Sequence, residues 1–191
     1  MVAMNLATLI TLCLMKNNEL IGDQNMKIVK LLAITLITIL PMVSQAQDVQ
    51  TYVGANYEHG SIKVGTHRSN VDGIKFQAGS DLEWGYLKGT AATLTGDGVD
   101  YDNYTFSVEK IVNIQQSHFF VSPEVGLTYS RYDNGKLKES DLGPMAGASL
   151  GYNINKQFQI VTNYNHSFGM KSNQHNIEGD SFSAGLNYRF N

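Results

Sequence analysis

The chain has 191 residues, a formal net charge of −3, 42% hydrophobic residues and a single cysteine. The mild acidity leaves no basic surface suited to nucleic acid. One cysteine excludes a disulfide scaffold and any zinc site built on several thiolates. In chain order, residues 1–25 hold a short apolar run, Leu6 to Met15, then the polar Lys16-Asn17-Asn18-Glu19. They are read as an extension upstream of a true start at Met26. Cys13 lies here, and Leu12 before it is too large for a lipoprotein cleavage pattern, so no lipid anchor is expected. Met26-Lys27 and Lys30 then precede an uncharged run from Leu31 to Leu40, followed by small residues at Ser44 and Ala46. This is the pattern of a secretory signal peptide over residues 26–46, cleaved between Ala46 and Gln47. The competing reading, a helical anchor, needs roughly 20 apolar residues, and the stretch from Ile28 to Val43 is shorter and contains Pro41.

Residues 47–191 form one domain with 11 basic and 15 acidic residues and no cysteine. Their apolar positions recur with a period of two, interrupted by Gly, Asn and Asp clusters, as strands and hairpins require. Eight strands follow. The first runs from about Val49 to Glu58, with Val53, Ala55 and Tyr57 on its apolar face. The second runs from Gly73 to Leu82, with Ile74 and Phe76 opposite Lys75 and Gln77. In the third, Trp84 to Thr95, Lys88 shares a face with Trp84 and Tyr86, so a bulge is expected to reset the register. The fourth, Asn103 to Ile114, turns Tyr104, Phe106 and Val108 outward and Ser107 and Glu109 inward, leaving Lys110 toward the apolar side. The fifth, His118 to Tyr132, sets Phe119, Val121, Val125 and Leu127 against Phe120, Ser122, Glu124 and Gly126. The sixth spans Leu142 to Asn153 and the seventh Lys156 to Phe168. In the last, Phe182, Ala184, Leu186, Tyr188 and Phe190 line one face, and Ser183, Gly185, Asn187 and Arg189 the other. Pro123 and Pro144 each remove a ladder donor, and local bulges are expected there.

Alternation alone does not say which face is inside. An apolar face turned inward would make a soluble, lipocalin-like periplasmic barrel around a ligand. Turned outward, it makes an all-β, eight-stranded antiparallel transmembrane β-barrel. Several strands reach the 9 to 11 residues a tilted membrane strand needs, and the polar face is rich in Gly and Ser, which suits a narrow filled interior. Trp84, Phe119, Tyr152, Phe158, Tyr188 and Phe190 fall at strand ends on one level and read as an interfacial aromatic girdle. The outward reading is adopted.

The segment Gly151-Tyr152-Asn153 before a short turn, the strand from Phe158 to Phe168 and the ending Ala184-Gly185-Leu186-Asn187-Tyr188-Arg189-Phe190 resemble the small outer membrane barrels of the OmpX and Ail/Lom type, within the OmpA-like group. The resemblance covers residues 47 to 190. It implies a monomeric barrel in the outer membrane, in contact with lipid and lipopolysaccharide. It also implies a terminal aromatic read by the barrel-assembly machinery, although Asn191 departs from the pattern by following Phe190. Some members bind host surfaces through their outer loops.

Here those loops are expected at His59–Asp72, Gly96–Asp102, Asp133–Asp141 and Gly169–Gly179, with Lys63, His67, Arg68, Asp97, Asp100, Asp102, Lys136 and Lys138 as contact residues. The three aspartates suit a hard cation, but no bidentate Glu follows at a metal-loop spacing, so no metal and no cofactor is expected. Lipid A deacylases of this size use a His, a Ser and an acid on the outer face. Here Ser167 is adjacent to His166, and neighbouring residues of a strand point to opposite faces, so the chain is not read as an enzyme. Inside, Glu109, Glu124 and Arg189 are expected to form an ion-pair network, and eight strands leave no wide pore.

Overall fold

The computed structural model describes residues 50–82, 84–169 and 176–190. The upstream extension, the signal peptide with its Ala46–Gln47 cleavage site, and Asn191 lie outside the described residues. Nine strands form one antiparallel sheet: β1 (Thr51–Val64), β2 (His67–Asp81), β3 (Tyr86–Gly96), β4 (Val99–Glu109), β5 (Val112–Asn113), β6 (Phe119–Asp133), β7 (Lys138–Asn153), β8 (Phe158–Ser167) and β9 (Ile177–Phe190). Strand β1 pairs with both β2 and β9, and β6 with both β4 and β7, so the sheet closes on itself. The short β5 pairs with β6 in the register of β4, so β4 and β5 make one wall strand and the barrel has eight.

Carrying the register once around fixes the barrel's shape. From Tyr52 the partners run through Gly79, Lys88, Ser107, Gly126, Met145, Ser167 and Gly179 back to Ile62. The path returns to β1 ten residues further along, a stagger that tilts the strands by about 35–45°. All these residues face inward. Five inward glycines on the polar storeys solve a packing problem. A Cβ on Gly54, Gly79, Gly147, Gly151 or Gly185 would overlap Asn187, Tyr52, Asn165, Phe120 or Asn56 respectively. In each case that residue is the glycine's own cross-strand partner. A large side chain lies flat over the hole left by the missing Cβ, so a narrow lumen is filled without voids.

The outward positions divide in two along the axis. Near the end where the chain enters and leaves they are apolar and exposed, with Val125 at 63% and Leu186 at 54%. On β6 this band runs from Phe119 to Tyr129, about 25 Å of axial height at the strand rise and tilt. Toward the distal end the outer wall becomes polar, carrying His59, Lys63, Arg68, Asp72, Asp102 and Asp180. The inner wall changes the other way. Its lower storeys bury Asn56, Glu58, Lys75, Gln77, Lys88, Glu109 and Glu124, whereas its distal storeys bury Ile62, Val64, Val71, Leu94, Val99, Tyr101, Tyr132 and Ile177, with Leu137 packed against them. The distal quarter is thus a small dry-cored barrel with a wet surface, resting on a wet-cored barrel with a greasy one.

Four expectations are corrected. The distal connections are not loops over His59–Asp72 and Gly96–Asp102. Pairing continues to Val64↔His67 and Gly96↔Val99, leaving two-residue turns in which Gly65 (φ 60°) and Gly98 (φ 71°) supply the positive φ. The third loop shrinks to residues 134–137, and Ile177–Gly179 of the fourth belong to β9. The third strand needs no bulge, because Tyr86 and Lys88 both face inward in continuous register, Trp84 stands in the preceding turn, and Leu87 and Ala91 take the outer face. Neither proline makes a bulge either. The Pro123 carbonyl accepts from Lys110 and the Pro144 carbonyl from Phe168 (3.2 and 2.9 Å), so each missing N–H points to a place where a ladder lapses: between β4 and β5, and past the end of β8. The apolar face turned outward also sets aside the soluble ligand-binding barrel.

Candidate functional site

Two groupings of chemistry stand out, one buried in the lumen and one on the distal outer wall. In the lumen, β3, β4 and β6 bring Lys88, Glu109 and Glu124 to one storey. Lys88 Nζ lies 2.8 Å from Glu124 Oε2 and 3.4 Å from Glu109 Oε2, and it is only 2% exposed. Glu109 and Glu124 are direct cross-strand partners. Like charges so placed repel, and five donor contacts offset this. Lys88 donates to both, Tyr52 and Ser122 donate to Glu109, and Ser107 donates to Glu124. A second pair, Lys75–Glu58 at 2.6 Å, lies on the distal side, and a small polar cavity lined by Gln77, Gln159, Asn163 and Asn187 adjoins the first.

The expected network is therefore corrected in its cation. Glu109 and Glu124 share a cluster, but with Lys88. Arg189 faces inward at the terminal rim, partly exposed, where its backbone N–H donates to Gln157 (2.7 Å) and its charge lies near Tyr86. Sequence reasoning missed Lys88 because aromatic neighbours at Trp84 and Tyr86 disguised its parity.

On the outer wall one arrangement occurs twice. Tyr57 and His59 of β1 converge on Asp72 of β2 (3.0 and 2.7 Å), and Tyr164 and His166 of β8 converge on Asp180 of β9 (2.8 Å each). Both His–Asp contacts join direct cross-strand partners. The repeated Tyr-x-His spacing is the signal in the sequence, since residues two apart share a face. Hydrogen bonds from His59, then Tyr57, hold the Asp72 carboxyl below the usual range, and those from His166, then Tyr164, do the same for Asp180. Ser167 is the partner of Gly179 and faces the lumen, so the His166–Asp180 pair has no serine from that position.

Most of the expected contact residues stand on strand walls. Lys63 of β1 meets Glu178 (3.7 Å), Arg68 of β2 approaches Asp180 (3.9 Å), and Lys138 of β7 meets Asp133 (2.8 Å). His67 opens β2, while Asp100 and Asp102 face outward on β4, the latter accepting from Thr93 (3.0 Å). Asp97 accepts the Asn70 N–H (2.7 Å) and, with Lys136, occupies a turn. Among the described residues no three His, Cys, Asp or Glu side chains are grouped to hold a metal ion. At the terminal rim, Phe119 meets Tyr152 edge-on (4.9 Å), and Tyr188 contacts both Phe158 (5.2 Å) and Phe190 (5.0 Å). Trp84, 62% exposed, joins this level from its turn.

Comparison with known proteins agrees with this geometry. Residues 31–190 match the family described as "Outer membrane protein beta-barrel domain". No curated protein matches. Among solved structures, Neisserial surface protein A is 17% identical at a TM-score of 0.60, over 73% of this chain and 97% of that one. Ail, the attachment invasion locus protein of Yersinia pestis, solved in complex with the heparin analogue sucrose octasulfate, is 15% identical at a TM-score of 0.54, over 74% of this chain and 99% of that one. At these identities the likeness is one of fold. With its apolar band turned outward and its matched residues spanning the barrel, this chain belongs to the outer membrane β-barrel domain family.

Proposed function

We propose that this outer membrane barrel serves as a structural element of the envelope and as a surface-contact protein, with its extracellular cap as the contact surface. The observation that carries this is the cap itself, in which polar strand walls and tight turns enclose an apolar core. Such a stub presents Lys63, Arg68, Asp100, Asp102 and Lys138 on rigid strands, so a ligand meets a preformed surface and little ordering entropy is lost on binding. Lipopolysaccharide is the nearest partner at that height, and a host or surface ligand is the second. The terminal strand, with Phe190 facing outward, is the segment proposed to be read by the barrel-assembly machinery.

The test replaces wall charges in pairs, Lys63→Gln with Arg68→Gln and Asp100→Asn with Asp102→Asn, and measures cell binding alongside envelope leakage. Lost binding with an intact envelope supports the contact role. A leaking envelope with unchanged binding leaves only the structural one. A lipid A-modifying hydrolase is the alternative that the outward His166–Asp180 pair keeps in view, and release of acyl chains from labelled lipid A by the purified barrel would favour it. The twin pair at His59–Asp72 favours an architectural role for both.

A further inference from the structure

The lysines of the described residues fall into two groups. Lys63, Lys75, Lys88 and Lys138 each meet a carboxylate at 3.7 Å or less. Lys110, Lys136 and Lys156 have no such partner among the described residues, and two of these three stand at the terminal rim. Lys110 follows the end of β4, exposed, with its backbone N–H on the Pro123 carbonyl. Lys156 is exposed in the turn between β7 and β8. Between them lies exposed His118, its ring 5.7 Å from Tyr152. Asp81 ends β2, outside this arc.

We infer that the arc of rim from β4 to β8 is a docking surface for acidic phospholipid headgroups of the inward-facing leaflet, with Lys110 and Lys156 seated on their phosphates. The position of Lys110 decides for lipid over a soluble anionic polymer of the periplasm. It continues the outward series Phe106, Val108, so its stem lies on the bilayer-facing wall and its ammonium reaches down to the headgroups. The neighbouring aromatics Phe119, Tyr152 and Phe158 mark the level of that interface. Basic residues beside an acidic leaflet each strengthen lipid association by about fivefold at most, so two lysines give a selectivity readable by lipid competition.

The experiment reconstitutes the folded barrel in phosphatidylcholine vesicles and measures association of spin-labelled phosphatidylglycerol against spin-labelled phosphatidylcholine. The expected result is a preference of about threefold to tenfold for the acidic label, reduced by 0.5 M salt and lost in Lys110→Gln/Lys156→Gln. Lys136→Gln, at the opposite end, retains it. Boiled and unboiled gel mobility confirms that each variant is folded. Equal association of the two labels with the wild type, or an undiminished preference in the double variant, overturns the inference. So does co-sedimentation of soluble peptidoglycan fragments that the double variant loses while the lipid preference stays.

Discussion

Lys88→Met is the sharpest perturbation of the lumen. The substitution keeps the aliphatic stem and removes the charge, leaving Glu109 and Glu124 as facing cross-strand partners, 5% and 2% exposed. Of the five donor contacts to the two carboxylates, two come from Lys88, and the three hydroxyls that remain carry no charge. Removing one partner of a buried ion pair costs about 3–5 kcal/mol, and two carboxylates depend on this one ammonium, so the upper part of that range is expected. Arg189→Ala, at the partly exposed rim, is expected to cost less than about 1 kcal/mol. Urea unfolding in phospholipid vesicles, followed by the fluorescence of Trp84, measures both. A triple variant, Lys88→Met/Glu109→Gln/Glu124→Gln, is expected to recover much of the loss, because neutral amides no longer repel. A Lys88→Met unfolding curve that overlays the wild type would refute the cluster as described, and so would an Arg189→Ala cost of equal size.

Gly79→Ala sets a methyl into the ring of Tyr52 and is expected to destabilise by about 1–3 kcal/mol by overpacking. Tyr52→Ser in the same chain should make the alanine far less costly, which a double-mutant cycle in the same unfolding assay reads directly. Leu94→Ala empties part of the cap's apolar core, where Leu94 is fully buried, and is expected to cost about 2–5 kcal/mol. Protease nicking confined to the distal end is its accompanying signature. Asp72 and Asp180 have folded values below their ordinary one, so their hydrogen bonds stabilise the cap above the unfolded carboxylate range. That contribution fades as pH falls through the lowered values. Carboxyl NMR should show Asp180 titrating below 3.8 and moving back toward that value in His166→Phe; an unmoved midpoint would show that the imidazole is not the cause.

The barrel below the cap was legible largely from alternation, because there the outer face is mostly apolar and the inner mostly polar or small, with Tyr52, Tyr86 and Phe120 as inward exceptions. Phe119 to Thr128 reads without a slip in parity, and so does Phe182 to Phe190. The cap was misread for a physical reason. On β1 the apolar residues change phase, from Val53, Ala55 and Tyr57 to Gly60, Ile62 and Val64. A pattern search takes that phase change for the end of a strand. The structure shows the strand unbroken, its surroundings having changed from lipid to water outside and from polar to dry inside. Lys88 was misplaced by a similar conflict, since Tyr86 is an aromatic on the inner face. The glycine–partner interlocks and the two Tyr–His–Asp groupings needed the register, which alternation within one strand does not contain.

The reversal of polarity partway up the wall also gives the molecule a waterline. Sinking by a few ångströms would drag His59, Asp72 and Asp180 into oil, and rising by as much would lift Leu127, Leu142 and Phe182 into solvent. Each displacement is opposed on several strands at once. The wall itself therefore sets the depth of the barrel, and its cap stands at a fixed height above the bilayer.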